Sequence, residues 1–289
     1  MFDLRYHVAS LAAVFVALLI GILVGIAMSG KVDDAEKQKL KSDVSGLQAQ
    51  LEAASEGRAK GTREQNALRA FIKNAYPMLV ADRLGGKQIA VVFVGAVDAT
   101  VNHEIERAVT DAGGTPPVRL RAIKVPIDPS KLDGRLDGDL AQYRTAGLED
   151  LGREFARELV EGGDTPAWDA LTQQLVEEKV GSLRKPVDGV VVARTVRPQT
   201  GQTATFLEGL YKGLGDAPVP TIGVEPSGVS LSAVPIWSNA GLSTVDDIDA
   251  PAGRLALALL LGGASIGNYG LKANADDGIV PPLEAAPSG

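Results

Sequence analysis

The sequence contains no cysteine, and this absence removes several classes of protein at once. No disulfide framework can form, no thiolate can bind a metal ion, and no cysteine can act as a nucleophile. Histidine is nearly as scarce, with two residues, and methionine occurs three times. Aromatic residues make up 4% of the chain and apolar residues 45%, so the core must rest on valine, leucine, isoleucine and alanine.

Excess positive charge and catalytic motifs are missing as well. The net charge of −7 over 289 residues argues against nucleic acid as a partner. The turn at Gly95 to Thr100 lacks the second and third glycines of a dinucleotide fingerprint, and the chain contains no P-loop, Gly-x-Ser-x-Gly or His-Glu-x-x-His sequence. Asp133, Asp137 and Asp139 do not follow the order of a calcium loop. We therefore expect no enzyme, no resident cofactor and no metal site.

One segment, Val8 to Met28, has no ionisable residue and is long enough as a helix to cross a bilayer. Small side chains recur at every fourth position and so share one helix face: Ala9, Ala13, Ala17, Gly21, Gly25 and Ser29. In lipid, close approach at small residues is a main route to helix association. The segment predicts an uncleaved single-pass membrane helix with a helical neighbour. A cleaved signal peptide is the alternative, because Ala27-Met28-Ser29 has the small-x-small pattern of a cleavage site.

The polar stretch that follows has the spacing of a coiled coil. Its seam consists of Leu40, Val44, Leu47, Leu51, Ala54, Leu68 and Ile72, interrupted by Arg58, Gly61 and Gln65. A fully helical stalk would be about 65 Å long, and Tyr76-Pro77 is expected to end it. A single amphipathic helix that lies on its own domain is the alternative to a paired coil.

The remainder of the chain predicts an α/β domain. Apolar runs typical of buried strands occur at 89–94 and 187–193, and further strands are predicted at 118–125, 219–224 and 242–245. Helical patterns occur at 101–111, 148–160, 165–180, 203–214 and 252–261. Alternating strands and helices indicate a doubly wound, mostly parallel sheet of the flavodoxin or Rossmann type. We therefore divide the chain into a membrane segment (1–30), a stalk (31–76), the α/β domain (77–277) and a disordered tail (278–289).

One group of residues in this domain is a candidate ligand site. Arg194, Thr195 and Arg197 follow the third predicted strand at the carboxyl edge of the sheet, where ligands of such folds bind. An anion contact at these residues would suit a small-ligand sensor. A loop that simply carries solvated arginines is the interpretation that we favour.

The opening Phe2-Asp-Leu-Arg-Tyr-His-Val-Ala-Ser-Leu11 and the late Gly267-Asn-Tyr-Gly270 give the chain a resemblance to a known family. They resemble the actinobacterial family named for mycobacterial copper transport protein B, over essentially the whole chain. The resemblance implies an envelope protein, described for the family as an outer-membrane, pore-forming copper efflux component. Some relatives are instead linked to cell separation, where they act with a membrane partner on the control of peptidoglycan hydrolases.

The resemblance also bears on orientation. Lys31, Lys37, Lys39 and Lys41 follow the apolar segment and would by themselves keep the large domain in the cytoplasm. The resemblance implies the opposite, and we follow it. The expected location is the plasma membrane with an extracytoplasmic domain, and the outer envelope membrane is the alternative.

Copper fits these residues poorly, because copper(I) prefers sulfur ligands and copper(II) prefers imidazole. Met1, Met28 and Met78 are far apart in sequence, as are His7 and His103. Our first hypothesis is therefore a non-enzymatic envelope scaffold that forms homodimers or pairs with a helical membrane partner and regulates septal peptidoglycan hydrolysis, possible partners including a hydrolase. A copper efflux component, as oligomeric pore or accessory, is the second hypothesis, and a small-ligand sensor is the third.

Overall fold

The structure, a computed structural model, describes residues 16–18, 20–22, 24, 34–116, 119–128, 141, 147–163, 166–181 and 185–283. The chain divides into two compact units, Met1–Leu68 and Arg69–Gly289. The boundary falls inside the first long helix, α1 (Asp34–Val80).

Helix α1 is 47 residues long and continues through Pro77. The expected end at Tyr76-Pro77 therefore lies one turn too early. Val80 is fully buried and Tyr76 is 7% exposed, so burial of this last turn in the second unit holds it helical beyond the proline. In the first unit, by contrast, Leu47 and Leu51 are exposed.

The expected membrane helix is corrected by the structure. Within the described residues, no helix combines the length and the apolar character needed to cross a bilayer. The long helix α1 starts beyond the expected membrane segment, at Asp34, and its sequence contains charged residues along its length. Of the expected association face, Ala17 and Gly21 are described as helical; the other four positions, Ala9, Ala13, Gly25 and Ser29, lie outside the described residues.

The second unit is an α/β domain. Its elements follow in the order β1 (Ile89–Val94), α2 (Ala99–Asp111), β2 (Arg119–Ile123), α3 (Leu148–Glu161), α4 (Pro166–Leu175), β3 (Val176–Val180), β4 (Gly189–Arg194), α5 (Gly201–Gly215), β5 (Thr221–Val224), α6 (Val234–Asn239), β6 (Ser243–Val245), α7 (Pro251–Leu261) and β7 (Asn268–Tyr269). The strands form one seven-stranded sheet in the order β3-β2-β1-β4-β5-β6-β7.

The sheet is mixed rather than parallel throughout, because β3 pairs antiparallel with β2. All other neighbouring pairs are parallel. The single helix predicted at 165–180 is wrong in its last part, because α4 ends at Leu175 and the chain continues directly into β3. Four of the five β3 residues are exposed, so the strand lacks the apolar run that marks a buried strand.

The two faces of the sheet each carry a hydrophobic core. On β1, Ala90, Val92 and Val94 join the core formed with α3, α4, α5 and α6. The intervening residues Ile89, Val91 and Phe93 join the core formed with the end of α1, α2 and α7. Alternate residues of a strand point to opposite faces, so the uniform apolar run of β1 is explained by helices on both sides.

The described part of the C-terminal segment packs on the domain. The carbonyl of Gly278 accepts a hydrogen bond from the amide of Gly270 at 3.0 Å, and Val280 packs against the core on the α2 and α7 side. The segment expected to be disordered was 278–289, of which the structure describes 278–283.

Candidate functional site

The carboxyl ends of the parallel strands β1, β4, β5 and β6 meet at one edge of the sheet, which is where open α/β sheets bind ligands. Three places along this edge carry polar side chains. They are the gap between β1 and β4, a pocket beside α5 and α6, and a group of carboxylates after β5 and β6.

The gap between β1 and β4 is the topological switch point, since β1 leads to β2 on one side and β4 leads to β5 on the other. Gly95 follows β1 with a φ of 101°, which favours glycine. A Cβ at Gly95 would lie 2.6 Å from both Thr195 Oγ1 and Val196 Cγ1. The Thr195 hydroxyl donates a hydrogen bond to the Ala96 carbonyl at 2.8 Å. The chain's own side chains therefore fill the crevice in which a nucleotide would lie.

The helix that starts at this gap has its amides occupied as well. Asp98 caps α2, and its carboxylate accepts hydrogen bonds from the amides of Thr100 at 2.9 Å and Val101 at 3.0 Å. A capped N-terminus has fewer free donors for an anion. The switch point is therefore a structural contact between β1 and β4.

The three residues of the predicted ligand edge do not act together. Arg194 is half-buried, and its Nη2 donates a hydrogen bond to the Leu231 carbonyl at 2.5 Å. Thr195 instead donates its hydroxyl hydrogen to the Ala96 carbonyl at the switch point. Arg197 is exposed, and its carbonyl accepts a hydrogen bond from Gln199 Nε2 at 2.8 Å. Of the three, Arg194 reaches a cavity.

That cavity is a pocket of 360 Å³ between α5 and α6, hereafter the α5–α6 pocket. Its lining includes Arg194, Ala204, Leu207, Tyr211, Ile236 and Asn239. Tyr211 is 4% exposed and its ring stands perpendicular to that of Trp237, with the ring centroids 6.4 Å apart. The lining is thus an apolar surface with a guanidinium and a phenol, and the charged residues Glu208 and Lys212 also line it.

Of the two cationic side chains that line the α5–α6 pocket, Lys212 forms salt bridges with described residues and Arg194 does not. Lys212 lies 2.7 Å from a Glu208 carboxylate oxygen and 3.1 Å from one of Glu149, and these hydrogen bonds raise the pKa of Lys212. Arg194 lies within salt-bridge distance of no carboxylate in the described part of the chain. Burial raises the pKa of Tyr211 to about 12, while the positive charge of Arg194 acts in the opposite direction.

Two carboxylates outside the pocket bind the segment that follows β7. Glu225 is 2% exposed and accepts hydrogen bonds from the Ser232 hydroxyl at 2.7 Å, the Ala233 amide at 2.8 Å and Lys272 Nζ at 2.6 Å. Asp246 accepts one from the Leu271 amide at 2.8 Å. Each carboxylate has its partners, so this part of the edge is satisfied and structural.

Asp247 is different. It is fully buried at the end of β6, and neither carboxylate oxygen has a hydrogen-bond partner among the described residues. Burial raises its pKa to about 7, and the neighbouring charges of Asp246 and Asp249 act in the same direction. Lys272 opposes the shift. The carboxyl is therefore about half protonated at neutral pH, unlike an ordinary aspartate.

Metal ligands do not gather at this edge. Among the described residues, no group of three or more His, Cys, Asp or Glu could hold a metal ion. Met78 is 83% exposed near the end of α1, and His103 is exposed on α2. Met1, Met28 and His7 lie outside the described residues.

Sequence reasoning missed Tyr211, Ile236, Glu225 and Asp247. The two carboxylates carry a usable signal, because each directly follows or closely follows an apolar strand at the ligand-binding edge. Tyr211 and Ile236 carry no such signal. The pocket that they line forms where α6 packs beside α5, and α6 was not predicted.

Comparison with known proteins identifies the family. The model of the family described as "Copper transport outer membrane protein, MctB" matches residues 1–280. The chain belongs to this family. It is also 24% identical over 310 residues to the copper transporter MctB of Mycobacterium bovis, which covers 93% of this chain and 96% of that protein. The MctB proteins of two Mycobacterium tuberculosis strains match to the same extent.

The comparison confirms the family that the N-terminal and Gly267–Gly270 motifs indicated. The match extends over both structural units, since it begins at residue 1 and ends at residue 280. It gives the copper hypothesis more support than the cell-separation hypothesis, which had been placed first.

Proposed function

We propose that this protein is a copper-transport component of the cell envelope that works by assembling with other protein chains and catalyses no reaction. The observation that carries the proposal is the family match over residues 1–280, together with relatives named as copper transporters that are covered almost completely. Copper is then the cargo of the assembly.

The ligand chemistry supports a role through assembly. Copper sites are built from thiolate, thioether or imidazole groups brought together. The chain has no cysteine, three methionines and two histidines. The described members of this set, Met78 and His103, are exposed on different helices. A copper pathway that uses these residues would need several copies of the chain or a partner chain.

Helix α1 offers the surface for such an assembly. Leu47 is 50% exposed and Leu51 is 54% exposed, on the seam that the heptad spacing defines. A helix that exposes leucines at coiled-coil spacing gains stability when a second helix covers them. The seam residues Val44 and Ile72 are half-buried and Ala54 is exposed, whereas the side chains of Leu40 and Leu68 lie outside the described set. We propose a second copy of this chain as the partner of α1.

The test is made in the organism that encodes the protein. Deletion should raise cell-associated copper at a fixed external copper concentration and leave cell-associated zinc unchanged. The wild-type chain should restore the copper content, and so should Ala49→Lys with Ala53→Lys, which places lysines on the opposite face of α1. Leu47→Lys with Leu51→Lys should not restore it, since it places charge on the seam.

Three outcomes would contradict the proposal or a part of it. Cellular copper that does not change on deletion would remove the transport role. Chains of unseparated cells together with normal copper would instead favour control of septal peptidoglycan hydrolysis. Full restoration by the Leu47 and Leu51 double variant would retain the copper role and reject assembly through α1.

A further inference from the structure

We propose that the α5–α6 pocket binds a small molecule with a compact apolar body and one anionic group, which is held by Arg194. The anion can be a carboxylate or a sulfonate, since both present oxygens to a guanidinium in the same way. This site is independent of the copper role and is tested on the purified chain.

The size and lining of the pocket define the body of the ligand. Its volume of 360 Å³ is at the small end of the range for ligand sites. Ala204, Leu207 and Ile236 provide apolar contact, and Ile236 is 44% exposed although it is a large apolar side chain. A single ring or a short alkyl chain would fill this volume and cover the exposed isoleucine.

The charge of Arg194 defines the headgroup. A guanidinium carries five N–H donors, and Arg194 uses one of its groups on the Leu231 carbonyl. No carboxylate of the described residues neutralises it, whereas Lys212 on the same pocket is held between Glu208 and Glu149. The remaining donors of Arg194 suit a planar or trigonal anion, which can accept two parallel hydrogen bonds.

Tyr211 provides a second polar group. Its side chain is 4% exposed and lines the pocket, and no described residue accepts a hydrogen bond from its hydroxyl. Because burial raises the pKa of Tyr211 to about 12, the hydroxyl remains a donor at neutral pH. The hydroxyl hydrogen can therefore be donated to an anion held at Arg194.

The position of the pocket agrees with the way this sheet is built. The switch point between β1 and β4 is filled by Thr195 and Val196, so a ligand cannot enter there. The α5–α6 pocket starts at Arg194, the last residue of β4, and its other lining residues belong to α5, α6 and the segments beside them. It therefore adjoins the carboxyl end of a parallel strand, where open α/β sheets bind ligands.

The experiment uses the purified full chain and three probes with the same body: phenylbutyrate, phenylbutanol and phenylbutylamine. Binding is followed by tryptophan fluorescence, because Trp237 packs against Tyr211. Phenylbutyrate should bind at least about 10-fold more tightly than the alcohol, as expected for a charge-assisted hydrogen bond of about 1.5–3 kcal/mol. The amine should bind more weakly still.

Two arginine variants provide a matched comparison. Arg194→Met should weaken phenylbutyrate at least about 10-fold and leave phenylbutanol unchanged. Arg197→Met removes the same charge from an exposed residue outside the pocket lining, and it should change binding by less than about 2-fold. Ala204→Phe fills the pocket while Arg194 is retained, and it should abolish binding of all three probes.

The proposal fails if phenylbutyrate and phenylbutylamine bind equally, or if Arg194→Met binds phenylbutyrate as the wild type does. Equal loss in Arg194→Met and Arg197→Met would indicate general charge attraction and also overturn it. Circular dichroism confirms that each variant is folded. If Arg194→Met does not fold, continued binding by a folded Ala204→Phe variant is the overturning result.

Discussion

At the scale of single residues, Asp247 is the group whose environment departs most from what its sequence neighbours indicate. It lies in the sequence Asp246-Asp247-Ile248-Asp249, and three acidic residues among four are typical of a solvent-exposed turn. In the structure the carboxylate of Asp246 accepts a hydrogen bond from the Leu271 amide, and that of Asp249 accepts from the Ser227 amide and hydroxyl. Asp247 is buried, and no residue in the described part of the chain forms a hydrogen bond with its carboxylate. Burial thus raises the pKa of one aspartate within a run of acidic residues.

This difference predicts a pH dependence of stability. The pKa of Asp247 is raised to about 7 in the folded chain from 3.8, so the folded state binds the proton more tightly than the unfolded state does. The free energy of unfolding should therefore fall as the pH rises from about 4 to about 7, by roughly 4 kcal/mol at most from this group. Denaturant unfolding at a series of pH values measures it.

The variant Asp247→Asn should remove most of that slope, because an amide does not titrate in this range. Its absolute stability is less informative, since the new amide is also left without a partner. Asp276→Asn, at an exposed position, should keep the wild-type slope. Identical pH slopes for wild type and Asp247→Asn would show that the buried carboxyl does not titrate as described.

At the scale of elements, two glycines set the distance between α3 and α5. A Cβ at Gly209 would lie 1.9 Å from the Glu149 carbonyl oxygen, and one at Gly152 would lie 2.2 Å from the Phe206 carbonyl oxygen. Each glycine therefore faces the backbone of the other helix, which cannot move aside as a flexible side chain can. The helices cross where neither carries a side chain.

We expect Gly209→Ala to destabilise the domain by about 1–3 kcal/mol, the usual cost of overpacking, and to lower its melting temperature by several degrees. Gly46→Ala is the control. Nothing lies within 4 Å of a Cβ at that position of α1, and the alanine improves helix propensity. A melting temperature of Gly209→Ala equal to that of the wild type would show that α3 and α5 can separate at no cost.

The elements also show what sequence patterns can and cannot predict. The strands at 89–94 and 187–193 were predicted because burial on both faces leaves a mostly apolar run. Strand β3 was missed because Glu177, Glu178 and Lys179 are exposed at the sheet edge, and its pairing with β2 is invisible locally. The short α6 and β7 carry too few residues for a period to show.

At the scale of the whole molecule, the ligand edge stays a prediction. Arg194 was proposed from its position at the carboxyl edge, and it lines the pocket. The other walls come from Tyr211 and Ile236, and only tertiary packing brings them beside Arg194. Sequence position indicates which edge of the sheet can bind, whereas the cavity itself depends on how α5 and α6 pack.

The exposed leucines of α1 predict that the protein self-associates. In the first unit, described side chains from Ser45 to Glu64 are all exposed, and the seam leucines Leu47 and Leu51 are among them. Covering a leucine stabilises by about 1.5–3 kcal/mol, and a dimer would cover these two on each chain. Sedimentation equilibrium of the purified chain should therefore give a dimer.

Leu47→Lys with Leu51→Lys should convert that dimer to a monomer, because four lysines would face one another across the seam. Ala49→Lys with Ala53→Lys adds the same charge to the opposite face and should leave the dimer intact. The circular dichroism of both variants should show a folded α/β domain, since Leu47 and Leu51 belong to neither hydrophobic core of that domain. A wild-type monomer at high concentration, or equal dissociation of both variants, would exclude pairing through this face of α1.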